Sequence, residues 1–160
     1  MKNLILVRHG KSSYENFTTD KNREISKTGI ERTIKIALKS SSFVTSDFVF
    51  WSSSAKRAAN TASIFAANLP FTKPTIVYKD NLYTFNSADL KSCIRTISDT
   101  INKMILFGHN PALTDFLNEC TNLQIDNLPT SGLISIEFDT ETWTNLPKGN
   151  ILKTLFAKDL

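Results

Sequence analysis

The chain has only two cysteines, Cys93 and Cys120, and their spacing matches no metal-ligand motif. A disulfide framework is set aside, and two reduced, incidental thiols are expected. Long apolar runs are also missing. The first, Leu4 to Val7, is four residues long, against the ~7–15 of a secretory signal core and the ~18 of a membrane span. A cytoplasmic protein with no membrane role is therefore expected. The net charge is +4, but no run of lysine or arginine marks a nucleic-acid arm, so nucleic acid is not expected as a partner. A mild positive excess suits anionic substrates instead. Internal repeats, low-complexity segments and dividing linkers are absent too, which predicts one domain over residues 1–160.

What is present is alternation. Leu4-Ile5-Leu6-Val7 reads as a strand buried on both faces, and it stops abruptly at Arg8-His9-Gly10. Residues 11–26 are polar and turn-rich. Ser26-Lys27-Thr28-Gly29 then opens a helix whose apolar face is expected at Ile30, Ile34, Ala37 and Leu38. Asp47 to Trp51 is a second buried strand, ending in Ser52-Ser53-Ser54. A helix from Ala55 to about Asn68 follows, with Ala58, Ala62, Phe65 and Ala66 on one face. A short strand at 75–78 and a helix at 87–98, with Ser87 as its cap, come next. Lys103 to Phe107 is another buried strand, ending in Gly108-His109-Asn110-Pro111, with Pro111 suited to the first turn of a helix. Leu133 to Phe138 and Ile151 to Phe156 read as a hairpin-like pair. The expected fold is α/β: a three-layer α/β/α sandwich on a mostly parallel sheet with a late antiparallel strand.

Three strand ends share a chemistry. The whole chain holds only two histidines, His9 and His109, and each directly follows a buried strand. Arg8 lies beside the first, and Arg57 lies at the start of the helix after the second strand. In a parallel sheet such ends line one edge, where ligands bind. Two imidazoles with no third ligand nearby are a poor zinc site. No Gly-x-Ser-x-Gly elbow suggests a serine nucleophile. Phosphoryl transfer fits. Arg8 and Arg57 offer planar forks that match phosphate oxygens. One neutral imidazole can attack phosphorus, and the second, protonated between anionic oxygens, can stabilise the transferring group. Backbone N–H groups at the following helix starts add to the anion site.

These residues resemble the histidine phosphatase (phosphoglycerate mutase-like) superfamily, and more narrowly its SixA-like phosphohistidine phosphatase branch. The likeness runs through Arg8-His9-Gly10-Lys11-Ser12-Ser13, Ser53 to Ala62, Leu106 to Asp115, and the Pro129-Thr130-Ser131-Gly132 loop leading to Phe138. It implies His9 as the nucleophile that becomes phosphohistidine. It implies Arg8 and Arg57 as the phosphoryl clamp and His109 as the charge-stabilising imidazole. Ser12, Asn16 and Asn110 become candidates for lining the pocket. A metal-independent phosphatase without cofactor is expected, monomeric, acting on a phosphorylated protein or a small phosphorylated molecule.

The chain departs from the pattern at one place. Where close relatives often carry Glu after Leu-Tyr, this chain has Thr84, and Asp80 lies four residues earlier. A poor alkoxide leaving group needs a proton donor there, whereas a phosphoramidate can leave as neutral imidazole. The departure favours phosphohistidine in proteins as substrate. A broad small-molecule phosphomonoesterase and a non-catalytic phosphate-binding module remain the alternatives.

Overall fold

In the computed structural model, residues 1–15 and 17–160 are described. Six strands form one sheet in the order β3-β2-β4-β1-β5-β6. They are β1 (Lys2–Arg8), β2 (Val49–Ser53), β3 (Ile76–Lys79), β4 (Lys103–Gly108), β5 (Leu133–Phe138) and β6 (Asn150–Leu155). The first four run parallel, β5 is antiparallel to β1, and β6 pairs antiparallel with β5. The helices are α1 (Lys27–Ser40), α2 (Lys56–Ala67), α3 (Ser87–Ile94) and α4 (Ala112–Cys120). This is the expected α/β fold, including its late antiparallel strand. Among the described residues no helix is long and apolar enough to cross a membrane, and Cys93 and Cys120 are unpaired.

The continuous apolar run in β1 has a direct cause. Leu4 and Leu6 pack with Leu90 and Phe116 of α3 and α4, while Ile5 and Val7 pack with Ile36 and Phe65 of α1 and α2. A strand covered on both faces cannot alternate apolar with polar residues. Trp143, in the connection between β5 and β6, is also fully buried, and its indole N–H donates to the Ile101 carbonyl at 2.7 Å.

Two local expectations need correction. The buried stripe of α1 is Gly29, Thr33, Ile36, Ala37 and Ser40, whereas Ile30 and Leu38 are exposed. The helix is turned because its N-terminus docks on the loop before it. The Ser26 hydroxyl accepts from the Gly29 N–H at 3.1 Å, and a Cβ on Gly29 would lie 2.4 Å from the Lys11 carbonyl oxygen. Only glycine permits that approach, and Thr33 can face inward because its hydroxyl pairs with Ser131 at 2.9 Å. In α3 the cap is Asn86 rather than Ser87: Asn86 Oδ1 accepts from the Ala88 N–H at 2.7 Å, and the Ser87 hydroxyl donates to Glu119. The helix also ends at Ile94, short of the expected 98.

Candidate active site

The register of the parallel strands decides the geometry. Arg8 at the end of β1 pairs with Gly108 at the end of β4, so His9 and His109 leave the sheet side by side. The His9 N–H donates to the Gly108 carbonyl at 3.1 Å, and the two ring centroids are 5.2 Å apart. His9 Nδ1 lies 2.7 Å from the Gly10 carbonyl oxygen. A carbonyl can only accept, so Nδ1 carries the proton and Nε2 keeps its lone pair. Burial pushes the pKa of His9 down to about 4; the Gly10 carbonyl opposes this, and the charges of Arg57, Arg8 and Arg23 add to it. The ring is neutral at physiological pH, as a nitrogen nucleophile must be.

His109 is held from the other side. Its Nε2 stands 2.7 Å from the Ser53 hydroxyl at the end of β2, and that hydroxyl also accepts the Ala55 N–H at 3.1 Å. Nδ1 is buried and has no protein partner among the described residues. A Ser53 hydroxyl that donates to Nε2 leaves the ring proton on Nδ1, where it can serve a ligand. Burial is the main cause lowering the pKa of His109 to about 3, helped by His9 and Arg57 and opposed by Asp20. Tyr83 and Phe85 cover the ring edge to face at 5.3 and 5.6 Å.

Arg57 lies in the first turn of α2 and is buried. Its Nη1 donates to the Asp20 carbonyl at 2.7 Å and its Nη2 to Asp20 Oδ2 at 3.0 Å. Arg8 donates from Nη1 to the Leu128 carbonyl at 2.9 Å, and its buried Nε has no partner among the described residues. Burial lowers the pKa of Arg8, and the neighbouring Arg57 charge lowers it further. Two guanidiniums that repel each other this way favour an anion between them. The N-cap residue of α2, Ala55, has no capping side chain, so the first N–H groups of that helix are not taken up by one.

The weaker candidates fare differently. The Ser12 hydroxyl accepts from Arg23 Nη2 and is thereby turned toward that side chain. Asn110 is engaged within the scaffold. Its Nδ2 donates to Asn127 Oδ1 and to the Leu128 carbonyl, both at 2.9 Å, and its Oδ1 accepts from the Thr114 N–H and hydroxyl. It steadies the same carbonyl that receives Arg8. Asn16 lies outside the described residues. Thr84 donates to Asp89 Oδ2 at 3.1 Å, and the exposed Asp80 pairs with Lys21 at 3.5 Å.

Sequence reasoning missed Asp20, Arg23, Tyr83 and Ser53. Only Ser53, at a strand end next to a recognised motif, carried a signal. The Asp20 carboxylate joins Arg57, Arg23 and Tyr83, a convergence that exists only once residues 20–23 have folded against α2. A groove of about 560 Å³ beside the site is lined by Ser13, Arg23, Glu24, Lys27 and Lys56, among others. Among the described residues no cluster of three or more His, Cys, Asp or Glu could hold a metal ion.

Residues 4–91 match the family model of the histidine phosphatase superfamily (branch 1). No curated protein matches significantly. Among solved structures, a protein assigned as the phosphohistidine phosphatase SixA of Agrobacterium tumefaciens superposes with a TM-score of 0.79 at 22% identity, covering 97% of each chain. The protein histidine phosphatase SixA complexed with tungstate gives 0.75 at 16% identity over 98% of each chain. A mycobacterial glucosyl-3-phosphoglycerate phosphatase gives 0.66 at 10% identity, covering 94% of this chain and 97% of the other. At such identities the likeness to these structures is one of fold.

Proposed function

The chain belongs to the histidine phosphatase superfamily, and from that footing we propose that its phosphatase chemistry runs through a covalent phosphohistidine on His9 and acts on phosphohistidine carried by proteins. Substrates of such a phosphatase are phosphorylated proteins or small phosphorylated molecules. The observation that carries the assignment is the His9–His109 pair at 5.2 Å, with Arg8 and Arg57 beside it and the His9 lone pair fixed on Nε2.

In the first step Nε2 attacks phosphorus as the P–N bond to the leaving imidazole breaks. The leaving ring departs as neutral imidazole: its other ring nitrogen has already taken a proton from water, and the released nitrogen keeps the electron pair of the P–N bond. Arg8 and Arg57 hold the terminal oxygens, and the Nδ1–H of His109 donates to one of them as charge spreads. The dianion in turn raises the pKa of His109, which is low without a counter-charge. In the second step water attacks the phosphoryl group, the P–N bond to His9 breaks, inorganic phosphate forms, and His9 returns to its starting tautomer. The role of Ser12 is to fix Arg23 beside the site. Asn110 supports Arg8 through Leu128. Asn16 stays a proposed pocket residue.

The substrate class follows from the leaving group. The carboxyl groups near the site are poorly placed as acids. Asp20 is held ionised, with a pKa near 2, first by the Tyr83 hydroxyl and then by Arg57 and Arg23. Asp80 is engaged with Lys21, and Asp89 with Thr84. An alkyl phosphate would need such an acid; a protonated phosphoimidazole does not. The chain is proposed to work as a monomer in the cytoplasm.

The test is a comparison of kcat/KM for a phosphohistidine-bearing protein, p-nitrophenyl phosphate and an alkyl phosphate. A clear preference for phosphohistidine over the alkyl ester supports the assignment. Equal rates on both would make the chain a general phosphomonoesterase.

A further inference from the structure

Arg57 is the most buried cation of the site, with 4% of its side chain exposed, and both of its hydrogen bonds go to one residue. That residue, Asp20, sits on the short 3₁₀ turn Asp20–Asn22 and keeps 46% of its side chain in water. Its Oδ2 accepts from Arg57 Nη2 at 3.0 Å and from the Tyr83 hydroxyl at 2.5 Å, while its Oδ1 accepts from Arg23 Nη1 at 3.0 Å. Its main-chain carbonyl accepts from Arg57 Nη1 at 2.7 Å. A carboxylate thus occupies the donors that a phosphoryl group requires.

We propose that Asp20 is an internal anion seated in the phosphoryl subsite, which an incoming phosphoryl group must displace from Arg57. The inference rests on the phosphatase assignment above and adds a residue that the assignment does not need. Exposure makes the exchange one-sided. Asp20 can swing into water at little cost, whereas a buried guanidinium cannot be left without a partner. Arg57 therefore passes from one anion to another. Asp20 lowers the affinity for every ligand of the subsite, the product included, because part of the binding energy goes into moving it. When phosphate dissociates, the carboxylate returns to Arg57.

The experiment is calorimetric titration of inorganic phosphate into the wild-type chain, Asp20→Asn, Asp20→Ala and Glu24→Gln, with KM for p-nitrophenyl phosphate measured in parallel. Glu24 lies on the same loop as Asp20 and pairs with Lys56 of α2 without touching Arg57, so it controls for charge alone. Both Asp20 variants are expected to bind phosphate about tenfold tighter or more, and to lower KM alongside, since a charge-assisted contact to Arg57 no longer competes. Glu24→Gln is expected to stay within about twofold of wild type. Phosphate affinity unchanged or weaker in both Asp20 variants, or a gain matched by Glu24→Gln, overturns the proposal while leaving a functioning phosphatase. Absence of both phosphate binding and turnover in every form, wild type included, would instead strike at the phosphatase assignment.

Discussion

The Ser53 hydroxyl stands 2.7 Å from Nε2 of His109, tying the end of β2 to the imidazole at the end of β4. In the proposed mechanism the contact sets which nitrogen of a buried ring is left for the phosphoryl group. Ser53→Ala removes it and leaves His109 free to turn. The expected result is a fall in kcat of about tenfold with little change in KM, partly restored by Ser53→Thr. Steady-state kinetics on p-nitrophenyl phosphate checks it.

Arg57→Lys replaces a planar fork with a point charge in a buried position. Two directed donors become one, and kcat/KM is expected to fall by about a hundredfold or more. A rate near that of wild type would remove Arg57 from the clamp.

The two histidines make the fold sensitive to acid. Both pKa values lie below the ordinary 6.5, at about 4 for His9 and about 3 for His109. The unfolded chain therefore takes up protons that the folded chain refuses as pH drops through this window. The stabilisation is fully present above about pH 6.5 and drains away as pH falls toward the folded values, about 3 kcal/mol for His9 and more for His109, whose shift is larger. Urea unfolding between pH 7 and 4 should show stability falling. His109→Gln should flatten the slope.

Gly29→Ala tests the docking of α1. The added Cβ would meet the Lys11 carbonyl oxygen at 2.4 Å and the Lys11 nitrogen at 2.9 Å, both backbone atoms. A loss of about 1–3 kcal/mol is expected, read as a lower unfolding midpoint. Activity should suffer as well, because the displaced loop carries Ser12, Arg23 and Asp20.

The parts of the site that could be read from the sequence lie at strand ends. A buried strand is an apolar run, and the polar residue that ends it marks the sheet edge. His9, His109 and Arg57 were visible on that basis because adjacent parallel strands bring their ends together. The loop 11–26 carried no such rule. Its residues are polar and aperiodic, so the meeting of Asp20 with Arg57 and Tyr83 depends on a fold-back that no local pattern encodes. The same fold-back rotated α1. Periodicity placed Ile30 and Leu38 inward along with Ala37, but the approach of Lys11 to Gly29 turns Gly29, Thr33 and Ile36 inward beside Ala37 instead. Asn110 shows a third limit: its neighbour His109 pointed to the site, while its own side chain is consumed by Asn127, Leu128 and Thr114.

The central claim is covalent transfer to His9. The direct measurement is a rapid quench under alkaline denaturing conditions after mixing the chain with a ³²P-labelled phosphoryl donor, followed by mapping of the label. The expected result is one acid-labile, base-stable phosphoryl group on His9, absent from His9→Ala, which should also lose turnover. Turnover by His9→Ala at the wild-type rate, or label on another residue, would contradict the account.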